Sequence, residues 1–159
     1  MKISNYIGLL SLLTLGASVQ AKVQDYSSSS YAAVAKLLSR SKSTVLELSI
    51  DLHDCYDQRI RDTKEIGRFL DTLCTHLKIT DPGDSRFIVC DSSLMSGSMG
   101  CIFMQIADDV SIVGRVINET NSVYLTISSL THYNTSDVAD FTKKFFGAST
   151  MDMKVTIRK

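Results

Sequence analysis

From Val45 to His53 the chain reads VLELSIDLH, and its alternation is strict: Leu46, Leu48, Ile50 and Leu52 fall on one side, Glu47, Ser49, Asp51 and His53 on the other. Successive side chains of a strand point to opposite faces, so this stretch is predicted to be a strand with one apolar side and one polar side. The apolar side needs a covering layer. The polar side is left for solvent, a ligand or another subunit.

The cover comes next in the sequence. In RDTKEIGRFLDTLCTHLKI, Asp62 followed by Glu65 is a capping-box signature, and Ile66, Phe69, Leu70, Leu73, Cys74 and Leu77 repeat at helical spacing. DPGD, residues 81–84, reads as a turn. SRFIVC and CIFMQIA read as strands around a loop, DSSLMSGSMG, that carries two glycines. VSIVGRVI and SVYLTISS are further strands separated by the turn-rich NETN. SDVADFTKKFF is predicted to be a second helix, with Val138, Phe141 and Phe145 on one face, Lys143 and Lys144 in its last turn, and Gly147 as its stop. MDMKVTIRK closes as a strand with Met151, Met153, Val155 and Ile157 inward. The expected fold is α+β: a two-layer sandwich, an antiparallel sheet with two helices on one face, in the ferredoxin-like order βαββαβ.

At 159 residues and 44% hydrophobic, one core suffices. Lys plus Arg and Asp plus Glu both total 17, so the basic excess that binds nucleic acid is missing and nucleic acid is not an expected partner. Residues 1–21 read as a secretory signal: Lys2, an apolar run from Tyr6 to Val19, and Val19-Gln20-Ala21 before the cut. That run is short for a membrane span, so a periplasmic or secreted protein without stable membrane association is expected. Residues 22–43 read as a serine-rich leader with a short helix over Tyr31–Arg40, and 44–159 as the sandwich domain. Cys55, Cys74, Cys90 and Cys101 could form two disulfides in three connectivities. Their spacing has no CxxC pair, which argues against zinc, and no metal ligand is assigned. Cys74, on the apolar face of its helix, reads as a buried thiol.

Two adjacent aspartates, Asp108 and Asp109, interrupt two apolar strands in GCIFMQIADDVSIVGRVI. A hairpin turn accounts for them without any function. Yet LELSIDLHDC, IRDTKEIGRFLDTLCTHLKI, the SGSMG loop feeding a strand, and DVADFTKKFFGAS before a closing strand resemble, over residues 45–158, the small prokaryotic S-adenosylmethionine decarboxylase-like proteins. Those enzymes convert a serine between two strands into a pyruvoyl group that serves as electron sink. The resemblance lays that serine on Asp108, or on Ala107 one register away. It lays the family's histidine near Val113 and its catalytic cysteine near Ser129. All three chemical positions are vacated, so pyruvoyl chemistry is not expected.

The chain also resembles the phage S-adenosylmethionine lyases, small sandwiches that need no cofactor. In these the substrate's own carboxylate attacks its Cγ, releasing methylthioadenosine and homoserine lactone and depleting the methyl donor used in host restriction-modification. The resemblance implies a homotrimer with sites between subunits, S-adenosylmethionine as substrate, and no cofactor. Asp108, Asp109 and Glu119 are the catalytic candidates it suggests; Glu47, Asp51, His53, Phe87 and Tyr124 are the substrate-binding ones. Carboxylates would hold the ammonium and sit near the sulfonium. Glu119 would take the ribose hydroxyls, Phe87 would stack on adenine, and Tyr124 would donate a hydrogen bond. Each has a plainer reading. Glu47 and Asp51 suit the solvated half of a strand, Phe87 suits a core, and His53 suits a structural role; His76 and His132 receive none. An exported enzyme would meet little S-adenosylmethionine, so the alternative is a non-catalytic binding member of the decarboxylase-like group.

Overall fold

The computed structural model describes residues 24–25, 44–82, 85–90, 100–107 and 109–158. The expected signal segment, the short helix over 31–40, the Gly83–Asp84 half of the DPGD turn, the loop over 91–99 and Asp108 lie outside the described residues. Along the chain run β1 (Gln24–Asp25), β2 (Val45–His53), α1 (Asp57–Arg61), α2 (Thr63–His76), β3 (Arg86–Cys90) and β4 (Gly100–Ala107). There follow β5 (Val110–Ile117), β6 (Ser122–Ser129), α3 (Thr135–Phe146) and β7 (Thr150–Arg158). The strands form one antiparallel sheet in the order β1-β7-β2-β6-β5-β4-β3. Both long helices cover one face of it, giving the expected α+β two-layer sandwich, but four strands and not two separate them, so the order is not the expected ferredoxin-like βαββαβ.

The alternation of β2 is realised residue by residue: Leu46, Leu48, Ile50 and Leu52 are fully buried, and the residues between them half-buried on the other face. Phe69 of α2 ties the layers together. Its ring lies 6.0 Å from Phe103 of β4, and 5.8, 5.3 and 4.7 Å from Phe141, Phe145 and Phe146 of α3. Aromatic rings meeting edge-on or offset like this add to the area they bury.

Several local expectations are corrected. Asp62 does cap α2, but its carboxylate accepts from Lys64 N at 2.8 Å, while Glu65 pairs with Arg68 at 2.6 Å instead of closing a capping box. The second helix begins one residue earlier than SDVADF and is capped by Asn134, whose Oδ1 accepts from Ser136 N and Asp137 N. Its buried stripe is Val138, Ala139, Thr142 and Phe146; Phe141 and Phe145 flank the stripe, half-buried, because Phe69 reaches between the helices to meet them. Gly147 does end α3, at φ 64°, and a Cβ there would overlap the Tyr56 ring. Gln24–Asp25, inside the expected leader, pairs with Ile157 and Thr156 at the outer edge of β7. Of the four cysteines, Cys90 and Cys101 form a disulfide between β3 and β4, and Cys55 and Cys74 are buried free thiols.

Candidate functional site

The helix-free face of the sheet is organised in rows that the strand registers set. One row crosses the sheet as Asp152 (β7), Asp51 (β2), Tyr124 (β6), Arg115 (β5), Ile102 (β4) and Val89 (β3). The next row is Lys154, Ser49, Thr126, Val113, Met104 and Phe87. Read across the rows, the face grades from charged and polar over β7, β2 and β6 to apolar over β4 and β3, with β5 carrying both Arg115 and Val113 between them. Phe87, Ile106 and Val113 are among the large apolar side chains left exposed there. A contiguous apolar area beside convergent polar groups is where ligands and partners dock.

Two shallow hollows lie side by side on this face. One, of about 270 Å³, is lined by Ile102, Val113, Gly114, Arg115, Tyr124 and Thr126. The other, of about 190 Å³, is lined by Ser49, Asp51, Asp152, Met153 and Lys154. Tyr124 and Asp51, register partners, stand on the ridge between them. Gly114 keeps its place beneath the first hollow because a Cβ on it would overlap the buried Phe103 ring.

The electrostatics are unbalanced in a particular way. Asp51 faces Asp152 directly across β2 and β7, and like charges directly opposite each other in a sheet are destabilising. His53 Nε2 stands 4.0 Å from Asp152, whose side chain is 87% exposed, and its Nδ1 is 3.4 Å from Ser122 Oγ. The His53 ring meets Tyr124 edge-on at 6.3 Å. Arg115 makes no ion pair or hydrogen bond through its side chain among the described residues.

The fold has a counterpart among known proteins, although no protein-family model and no curated protein sequence matches the chain. Among solved structures, the adenosylmethionine decarboxylase from Aquifex aeolicus VF5 superposes with a TM-score of 0.60 at 14% identity, over 72% of this chain and 90% of that one. The chain has an adenosylmethionine decarboxylase-like fold.

On the decarboxylase-like fold, the candidates drawn from the sequence divide. Asp51, His53 and Tyr124 come together at one end of the open face. Glu119, exposed in the β5–β6 turn, is at that same end. Asp109 is in the β4–β5 turn, where its carbonyl accepts from Leu130 N at 3.0 Å, at the opposite end of β5. An eight-residue strand separates Asp109 from Glu119 by roughly 25 Å, so one nucleoside-sized ligand does not touch both. Glu47 is on the open face, but Arg158 holds one of its oxygens at 2.8 Å and Ser128 approaches the other at 3.5 Å. Phe87 is exposed on the same face, beyond the apolar hollow on edge strand β3. The sequence reading missed Arg115, Asp152 and Lys154. Their signal was present as the outward half of the alternation in β5 and β7; only the inward half of β7 was followed, and neither half of β5.

The pyruvoyl group implied by the fold's likeness does not fit this chain. Ala107 pairs with Val110 at the end of the β4–β5 ladder, and the nearest serine, Ser111, lies within the sheet between Ile106 and Ser128. Val113 and Ser129 occupy the other two positions, one an exposed aliphatic and the other a buried hydroxyl 3.1 Å from Thr131 Oγ1. On the helix side, His76 and His132 line a third hollow of about 290 Å³ with Lys78, Asn134 and Asp137. Burial there pulls the His132 imidazole below its usual pKa.

Proposed function

We propose that this protein binds S-adenosylmethionine on the open face of its sheet, with the adenine in the apolar hollow and the methionine tail over the acidic one. The observation that carries this reading is the row Asp152, Asp51, Tyr124, Arg115, which sets a carboxylate pair beside a ring and a guanidinium on an uncovered face. A sulfonium and an ammonium are both drawn to the carboxylate pair. The planar base suits Tyr124 and the Arg115 guanidinium, which stacks on flat π systems as well as pairing with anions. The adenine role expected of Phe87 therefore passes to Tyr124, and Glu119 remains the candidate for the ribose hydroxyls.

A second reading, cofactor-free cleavage, is favoured by the character of the acidic hollow: it supplies anchors for the tail, and an intramolecular attack asks for little more. In that step a carboxylate oxygen of the ligand bonds to its Cγ as the Cγ–S bond breaks. The electron pair stays on sulfur, giving methylthioadenosine and homoserine lactone without net proton transfer. Asp109, at the opposite end of β5 from Glu119, is not part of the proposed site. The expected homotrimer belongs to it too, because a neighbouring subunit over Phe87, Ile106 and Val113 would exclude water from the site. The expected export signal favours binding over turnover, since an exported protein meets little of the substrate.

Titration calorimetry with S-adenosylmethionine, followed by mass spectrometry of the incubated ligand, tests both. Saturable binding that falls tenfold or more in Asp51→Asn and Tyr124→Ala supports the site. Methylthioadenosine with homoserine lactone assigns the lyase, and an intact ligand leaves a binding protein. No heat and no protection of the protein by the ligand would remove the proposal.

A further inference from the structure

We infer that the hollow lined by Ser49, Asp51, Asp152, Met153 and Lys154 is an α-amino-acid subsite, so that the ligand must keep its α-carboxylate. This rests on the proposed binding of S-adenosylmethionine and names the part of it that the protein reads. Asp51 and Asp152 are opposed across β2 and β7, with backbones about 5 Å apart. Lys154 follows Asp152 by two residues on the same face, about 7 Å along the strand, and is opposite Ser49. A carboxylate pair and an ammonium at that spacing, in one hollow, complement a zwitterion whose own ammonium and carboxylate are joined through a single carbon.

The charge count shows why Lys154 decides specificity. S-adenosylmethionine carries a sulfonium, an ammonium and a carboxylate, for a net charge of about +1; its decarboxylated form has lost the anion and is a dication. A site made of Asp51 and Asp152 alone attracts the dication more strongly. Lys154 reverses this order, because it repels the second cation and pairs with the carboxylate when one is present. Ser49, opposite Lys154, adds a neutral hydrogen-bonding group to the same row.

The experiment compares three ligands, S-adenosylmethionine, decarboxylated S-adenosylmethionine and methylthioadenosine, by titration calorimetry against the full chain and against Lys154→Gln and Lys154→Arg. The wild type is expected to prefer the carboxylated ligand by about ten- to a hundredfold, the usual yield of a charge-assisted hydrogen bond. Lys154→Gln is expected to invert the preference and Lys154→Arg to restore it, while methylthioadenosine, which has no tail, binds all three alike. Equal wild-type affinity for the two sulfonium ligands, or a preference unchanged in Lys154→Gln, overturns the subsite while leaving adenosyl binding in place. Failure of the wild type to bind any of the three overturns the parent reading. Lys154 is exposed, and matching thermal melts of the three proteins show that the comparison is made on folded chains.

Discussion

Gly114 shows how one residue serves both layers of the sandwich. It lies beneath the apolar hollow, and on its other side the Phe103 ring fills the volume a Cβ would take. Gly114→Val is expected to cost about 1 to 3 kcal/mol, the usual penalty for overpacking a filled core, read as a lowered melting temperature. Cys55 makes a pH prediction. Burial, then the nearby Asp54 charge, pushes its thiol up from 9.0 to about 11. Between those values the unfolded chain has released the proton that the folded chain retains, so stability present below pH 9 is expected to fall as pH rises toward 11. Denaturant titrations of wild type and Cys55→Ala across that range check the sign, because the variant should lose the slope. Neither effect was legible beforehand. Alternation shows which face a residue takes, but not what stands across the core from it.

At the scale of elements, periodicity served well and termini poorly. The two long helices and strands β2 to β7 follow from apolar spacing, because burial of one face is what stabilises each of them. The Asn134 cap was missed because a cap is recognised by where helical dihedrals begin, and the chain offers Asn134, Thr135 and Ser136 in succession. Asn134→Ala is expected to cost about 1 kcal/mol by leaving the Ser136 and Asp137 amides unsatisfied, measurable by chemical denaturation. Edge strand β3 is five residues long and bonded to β4 alone within the sheet, with the Cys90–Cys101 disulfide across the pair. Reducing that bridge, which closes a short loop, is expected to cost about 2 to 3 kcal/mol. Hydrogen exchange should then rise first in Arg86–Cys90, while β2 and β6, in the middle of the sheet, keep their protection.

For the whole molecule the decisive property is that one sheet face is covered and the other is not. Ile50, at the centre of β2, is fully buried on the covered side, and Ile50→Ala is expected to cost about 2 to 5 kcal/mol by opening a cavity between the sheet and its helices. The open side should tolerate change much better: Asp51→Asn is expected to leave the melting temperature unchanged or slightly raised, because it relieves the repulsion with Asp152. A thermal melt run beside the binding titration separates these two kinds of residue. By itself the sequence determined the fold class, the two long helices with strands β2 to β7, and the polar outer side of β2, since each depends on periodicity within a segment of the chain. Only the tertiary structure decided which residues share a row. Asp152 meets Asp51, and Arg115 meets Tyr124, through pairing registers between separate strands, while the same topology places Asp109 and Glu119 at opposite ends of β5. Register is a property of two strands at once, and no reading of either strand alone contains it.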